Sequence, residues 1–207
     1  MKFSIIIPAY NAYGHILRAL NSIVEQSFDD YELIVVADAC EDDTAKLAEC
    51  YGAKVIETDY HNVGLARNAG IEVASGDYVL FMDDDDWFLH EFVLEQLVAE
   101  LGNYDIVCFG FLMRGVGYCP PVRIIERYKY YWPAPWTKCY KRTAIGGTRF
   151  ADTFPEDVLF TNEMLSKGLR IHEFNMPLYY YNYMRPGSVT AEKVAKGIEP
   201  DLRKEKY

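Results

Sequence analysis

The first hundred residues alternate short apolar runs with amphipathic stretches, and few chain architectures accept that pattern. Ser4 to Pro8, Leu33 to Ala37, Lys54 to Glu57 and Asp77 to Met82 read as strands. The first, second and fourth are apolar throughout, as expected of strands covered on both faces. Between them, residues 13–27 carry Ile16, Leu20, Ile23 and Val24 at helical spacing. A second helix with Ala45, Leu47, Ala48 and Tyr51 can be capped by Asp42 or Asp43 and stops at Gly52. Asn62-Val63-Gly64 opens a third helix, with Leu65, Ala69 and Val73 on one face, and Leu94, Leu97, Val98 and Leu101 mark a fourth. Strands and helices joined by short loops in this order specify an α/β fold, a mostly parallel central sheet with helices on both faces. Ligands of such sheets sit beyond the carboxyl ends of the strands. Pro8 to Asn11, Asp38 and Asp83 to Asp86 all fall there.

The second half is less regular. Tyr104 to Met113, Trp136 to Lys141, Arg170 to Phe174 and Leu178 to Tyr183 read as strands, and Pro155-Glu156-Asp157 starts a helix ending at Gly168. Residues 114–135 read as an irregular loop, and the chain from Val189 as a terminal helix or frayed tail. No repeat or linker divides the 207 residues, so residues 1–207 are expected to form one domain. Its ligand-binding half spans 1–103, a smaller α+β region 104–188 and a tail 189–207.

A formal net charge of −10 argues against nucleic acid as a partner, since phosphate backbones need clustered Lys and Arg. Five cysteines (40, 50, 108, 119 and 139) without C-x-x-C spacing fit reduced thiols in a cytoplasmic protein. No run reaches the length of a membrane span, and Met1-Lys2-Phe3 passes straight into a strand. Peripheral association with the inner face of a membrane and homo-oligomerisation are both compatible with the sequence.

The turn after the first strand, Pro8-Ala9-Tyr10-Asn11, has no glycine, which argues against a Rossmann dinucleotide site, and no P-loop is present. Scattered histidines and cysteines support no zinc site. What remains is the run Asp83-Asp84-Asp85-Asp86-Trp87 at the end of an apolar strand. Aspartate runs also occur in solvated turns. Here the strand feeding the run is apolar, and buried carboxylates need compensation by a cation. On an extended chain, Asp83 and Asp85 at i, i+2 point the same way about 7 Å apart. One can hold Mg²⁺ or Mn²⁺, with substrate phosphates completing the shell, while the other accepts from a sugar hydroxyl.

Four motifs occur in order: Ser4-Ile-Ile-Ile-Pro-Ala-Tyr-Asn11, Val35-Val36-Ala37-Asp38, Asn62-x-Gly64-x-Ala66-Arg67-Asn68-Ala69-Gly70 and Phe81-Met82-Asp83-x-Asp85-Asp86-Trp87. Together they resemble family 2 glycosyltransferases of the GT-A (Rossmann-like) fold, over residues 3–100 and more weakly through Trp136-x-Lys138-x-Tyr140-Lys141-Arg142, Pro155-Glu156-Asp157 and Arg185-x-Gly187-Ser188. The resemblance implies a nucleotide-diphospho-sugar donor, usually a UDP-sugar, a saccharide or lipid-linked acceptor, and inversion at the anomeric carbon, as in bacterial polysaccharide or glycoconjugate synthesis. It implies that Ala9, Tyr10 and Asn11 line the nucleotide and that Asp38 bonds the uracil edge. Arg67 then contacts base or phosphates, Asp83 the ribose and Asp85 the metal, and Asp157 is the catalytic base. Pro8, Asn62, Asp84, Trp136, Glu156 and Arg185 join the substrate-binding set. The segment Ala37-Asp38-Ala39-Cys40 departs from the family, which usually has two acids followed by Gly-Ser, so the choice of base is open. Asp84 also makes the metal assignment able to slip by one residue.

Each candidate has a plainer role: helix capping for Glu156-Asp157, a surface arginine for Arg67, a solvated tail for Arg185, core packing for Trp87 and Trp136. Two other functions compete. A sugar nucleotidyltransferase requires a glycine-rich first loop, whereas Gly146-Gly147-Thr148-Arg149 comes too late in the chain. A non-catalytic nucleotide-sugar-binding module would be indifferent to Asp157→Asn.

Overall fold

The computed structural model describes residues 2–125, 128–197 and 202–204. The expected strands form, as β1 (Phe3–Ala9), β2 (Tyr31–Asp38), β3 (Lys54–Thr58) and β4 (Tyr78–Phe81), with α1 (Leu17–Val24), α2 (Thr44–Cys50) and α3 (Val63–Val73) between them. A two-residue β5 (Trp87–Phe88), α4 (Val93–Leu101) and β6 (Ile106–Met113) follow. The rest of the chain adds β7 (Gly117–Cys119), β8 (Val122–Ile125), β9 (Tyr128–Tyr131), β10 (Lys138–Lys141), α5 (Arg142–Ile145), α6 (Glu156–Ser166), β11 (Ile171–Tyr181) and α7 (Val189–Ala195).

Among the described residues, nine strands form the main sheet, in the order β3-β2-β1-β4-β10-β6-β11-β5 with β7 on β6. The pairs β1–β2, β1–β4, β2–β3 and β6–β11 are parallel. Proline does not stop β1: Pro8 still faces Val36. The β4 ladder closes where the Ile6 carbonyl accepts from Met82, so two residues on, the missing N–H of Pro8 points past the end of β4 and costs no ladder bond.

Alternate side chains of β1 feed opposite faces of the sheet. Ile5 and Ile7 pack with Leu20, Ile23, Leu94 and Leu97 from α1 and α4. Ile6 packs with Ala66, Ile71, Phe160 and Met164 from α3 and α6. The inward face of α3 is not the expected Leu65, Ala69 and Val73. It is Gly64, Ala66, Arg67, Gly70 and Ile71. Small residues set this face, because a Cβ on Gly70 would lie 2.4 Å from Ile6 Cγ2.

Three more expectations are corrected. Residues 114–135 are not an irregular loop: they hold β7 and the hairpin of β8 and β9. Residues 171–181 form one strand, which crosses Pro177 through register shifts against β6. Trp136 starts no strand, since Pro135–Thr137 is a 3-10 turn before β10. Of the two readings for the chain from Val189 the terminal helix forms, over residues 189–195 and capped by the Ser188 side chain, while 198–201 and 205–207 of the expected tail lie outside the described residues. No helix among the described residues is long and apolar enough to cross a membrane.

Candidate active site

The strand ends place the aspartate run at the carboxyl edge of the sheet, where each carboxylate finds a different partner. Asp83 Oδ1 accepts from Arg67 Nη2 at 2.9 Å, and its own N–H donates to the Tyr179 hydroxyl at 3.0 Å. Asp84 meets His15 Nε2 at 3.2 Å and the Tyr10 N–H at 3.4 Å. Asp85 accepts from Arg185 Nε at 2.5 Å. Asp86 is buried and accepts from the Tyr179 hydroxyl at 2.8 Å and the Asn182 N–H at 2.8 Å. Burial pushes Asp83, Asp85 and Asp86 above the usual carboxylate range, with Arg67 opposing at Asp83 and Arg185 at Asp85. At Asp86 the neighbouring Asp83 and Asp85 push the same way as burial. Thus Asp86 ties the run to the end of β11, while Asp83 and Asp85 stay partly exposed in ion pairs.

Arg67 is only 5% exposed, so it is not a surface arginine. Its guanidinium bridges Asp83 and Glu156 Oε1, the latter at 3.2 Å from Nη1, and lies 5.3 Å from the centre of the Phe150 ring. One residue after Glu156, Asp157 sits half-buried in the first turn of α6, with Oδ1 accepting its neighbour's N–H from Val158 at 2.7 Å. Arg67 thus fastens the aspartate run to the helix that carries Asp157.

The other expected residues divide into those exposed at the strand ends and those engaged within the fold. Pro8 and Ala9 are buried in β1, while Tyr10 is 59% exposed beside the exposed Asn11. Asn11 has φ +46°, a left-handed conformation that asparagine tolerates better than most residues, and its Oδ1 accepts from the Glu41 N–H at 2.8 Å. Asp38 organises the loop into α3: Oδ1 accepts from Thr58 and the Tyr60 N–H, and Oδ2 from the Asn62 N–H. Asn62 caps α3 by accepting from the Leu65 N–H at 3.0 Å, and donates to the Asp152 carbonyl. Trp136 is buried in the core, stacked on Tyr179 at 4.8 Å and edge-on to Phe111 at 5.0 Å. Trp87 stacks on Tyr180 at 4.2 Å with Arg18 over its ring.

His15 and Tyr179 were not among the expected site residues, and Lys138 stood in the resembling motif without a role. Nothing in local sequence couples Tyr179 to a run more than ninety residues earlier. Lys138 is fully buried, with Nζ donating to the carbonyls of Trp132 and Ala134 and to Thr137 Oγ1. Burial pushes its ammonium down to about 8.

Whether the residues suit a divalent metal follows from the donor set. Among the described residues no three His, Cys, Asp or Glu side chains converge. Asp85 offers one hard oxygen donor that already attracts a cationic group. One carboxylate plus substrate phosphates is an ordinary shell for Mg²⁺ or Mn²⁺, so the residues fit a metal shared with a ligand rather than an all-protein cage.

The family model for Glycosyl transferase family 2 matches residues 4–153. The chain belongs to glycosyl transferase family 2. It is similar to the poly(ribitol-phosphate) beta-N-acetylglucosaminyltransferase TarS of Staphylococcus aureus, with 30% identity over 212 residues covering 90% of this chain and 36% of TarS. It therefore spans about a third of that relative's length. The UDP-Glc:alpha-D-GlcNAc-diphosphoundecaprenol beta-1,3-glucosyltransferase WfaP of Escherichia coli is 29% identical over 92% of this chain and 80% of its own. The crystal structure of S. aureus TarS 1-349 in complex with UDP-GlcNAc superposes with a TM-score of 0.79 at 26% identity, covering 92% of this chain and 61% of that one. The architecture is the GT-A fold of such enzymes.

Proposed function

We propose that the chain transfers a sugar from a UDP-sugar to a hydroxyl of a saccharide or lipid-linked acceptor, with inversion, in the assembly of a bacterial polysaccharide or glycoconjugate. Residues 1–103 hold the donor and 104–188 the acceptor. The observation that carries this reading is the Asp83–Arg67–Glu156 bridge. It joins the edge where family members hold a nucleotide to a helix whose next residue is an accessible carboxylate. The UDP-GlcNAc complex of the TarS fragment and the donor named for WfaP favour a UDP-sugar.

In this mechanism Asp157 accepts the proton of the acceptor hydroxyl as that oxygen attacks the anomeric carbon. The bond from that carbon to the diphosphate breaks on the opposite face, and UDP leaves with the bonding electrons, so the configuration inverts. Exposed Tyr10 and Asn11 line the nucleotide, Asp83 accepts from a ribose hydroxyl, and Arg67 keeps Asp83 and Glu156 in register. Arg185 lies against Asp85, where it can exchange that carboxylate for the diphosphate. A Mn²⁺ or Mg²⁺ ion held by Asp85 and the diphosphate would offset the charge of the leaving group. The test is UDP binding by calorimetry with Mn²⁺. Asp85→Ala and chelator should each weaken it by tenfold or more, on the order of 1.4 kcal/mol; UDP affinity indifferent to both would remove the metal from the account.

A further inference from the structure

A pocket of about 270 Å³ lies on the acceptor-side half, lined by Arg123, Tyr130, Tyr131, Trp132 and Pro133. None of these belongs to the aspartate edge. We propose that it binds a pyranose ring of the acceptor glycan, the apolar face of the sugar lying on the exposed Tyr130 ring with its edge against Trp132 and Arg123. The assignment rests on the glycosyl-transfer reading above.

The pocket wall is held from behind. The backbone carbonyls of Trp132 and Ala134 accept from the buried Lys138 ammonium at 2.5 and 3.1 Å. The Pro133 carbonyl accepts from the Thr161 hydroxyl. The Trp132 indole N–H donates to the Pro120 carbonyl at 2.8 Å, and the Tyr131 hydroxyl to Glu173 at 2.6 Å. With these polar groups satisfied by the protein, the exposed ring of Tyr130 remains for a ligand, while Arg123 covers one face of Trp132. Burying a lysine among neutral acceptors is costly, and here that lysine fixes the loop that forms the wall.

Placement also favours an acceptor. Thr161 lies four residues after Asp157 on α6, so both side chains share a helix face. Ring contacts run from Trp132 to Phe111 at 5.1 Å, from Phe111 to Trp136 at 5.0 Å and from Trp136 to Tyr179 at 4.8 Å. Tyr179 touches Asp83 and Asp86. Contacts thus run from the pocket wall to α6, which carries Asp157, and through three rings to Tyr179 beside the aspartate run.

The lining chemistry separates two kinds of acceptor. A polyol phosphate requires clustered cationic donors. Of the lining residues only Arg123 is cationic, and its guanidinium stacks 5.3 Å over Trp132. The adjacent Lys129 is paired with Glu173 at 2.7 Å. Aromatic faces beside one arginine suit the C–H face of a pyranose better.

The test uses the whole chain with two probes, methyl α-N-acetylglucosaminide and ribitol 5-phosphate, read by saturation-transfer NMR, with UDP binding by calorimetry as a donor-side control. Tyr130 is 49% exposed, so Tyr130→Ala leaves the core intact. Trp132→Tyr retains a ring where Trp132→Ala does not. Glycoside affinity should fall about threefold to tenfold in Tyr130→Ala and Trp132→Ala, the range for one aromatic contact, and recover in Trp132→Tyr, with UDP affinity unchanged throughout. Glycoside binding that ignores both alanine variants, absence of glycoside binding, or binding of ribitol phosphate alone would overturn the assignment. The two readings fail separately: glycoside binding that tracks Tyr130 and Trp132 without any UDP response supports the pocket and overturns the donor chemistry.

Discussion

Arg67→Met should destabilise the protein in a pH-dependent way. The variant keeps most of the apolar stem and removes the guanidinium between Asp83 and Glu156, leaving side chains that are 29% and 15% exposed without their cation. Breaking a buried ion pair by removing one partner costs about 3–5 kcal/mol. The partial exposure of Asp83 lets water recover some of that, which places the expected loss near the bottom of the range, ~3 kcal/mol. For a domain of this length that corresponds to about 6–12 °C in Tm. Burial already raises Asp83 and Arg67 opposes the rise, so without Arg67 its folded pKa climbs further above the unfolded value. A carboxyl shifted that way contributes stability present below its unfolded pKa and lost as pH rises through its folded pKa. The deficit of the variant should therefore shrink as pH falls from 7 to 4.5. Urea unfolding of both proteins at the two pH values measures it. A loss below about 1 kcal/mol, or a deficit equal at both pH values, would refute the bridge as a buried electrostatic tie.

A Cβ added at Gly64 would lie 2.7 Å from the Ala151 carbonyl oxygen and 3.1 Å from Glu156 Cγ. Gly64→Ala should therefore displace the segment leading into α6. The gain in helix propensity of about 1 kcal/mol offsets much of the overpacking cost, so transfer activity should drop well before Tm does, as parallel rate and melting measurements will show. Asp86 is raised far above an ordinary carboxylate by burial, then by Asp83 and Asp85. In the wild type its contribution is present below the unfolded pKa and is lost as pH climbs through the folded one. Asp86→Asn, which imitates the protonated form, should gain stability relative to wild type between pH 5 and pH 8 in denaturant titrations; a difference that stays flat or shrinks would mean Asp86 is held charged.

The parallel half of the fold was readable because its strands are buried on both faces and so appear as unbroken apolar runs, with Gly52 and Gly76 near the ends of helices. The face of α3 was misassigned for a physical reason. Counting large side chains selects Leu65, Ala69 and Val73, but the helix approaches β1 through Gly70 and Ala66, and close approach needs small residues. Arg67 was expected to contact the ligand, with a surface arginine as the plainer role, and neither reading anticipated the burial that makes the bridge. Prolines 120, 121, 133 and 135 bracket and hid β8 and β9, whose pairing is local, while Pro177 falls at a bulge that β11 passes through. The aspartate run was recognised as needing positive charge, but its partners His15, Arg67, Arg185 and Tyr179 come from four separate segments, a set that only the fold brings together.

The central claim is that Asp157 is the base for sugar transfer from a nucleotide donor bound by the rest of the edge. Asp157→Asn keeps the shape and the first-turn position while removing the ability to accept a proton. With a competent UDP-sugar and acceptor pair, single-turnover transfer should fall by about 10²–10⁴, while UDP affinity and Tm stay at the wild-type values. Transfer retained within tenfold by a folded, UDP-binding Asp157→Asn protein would contradict the account.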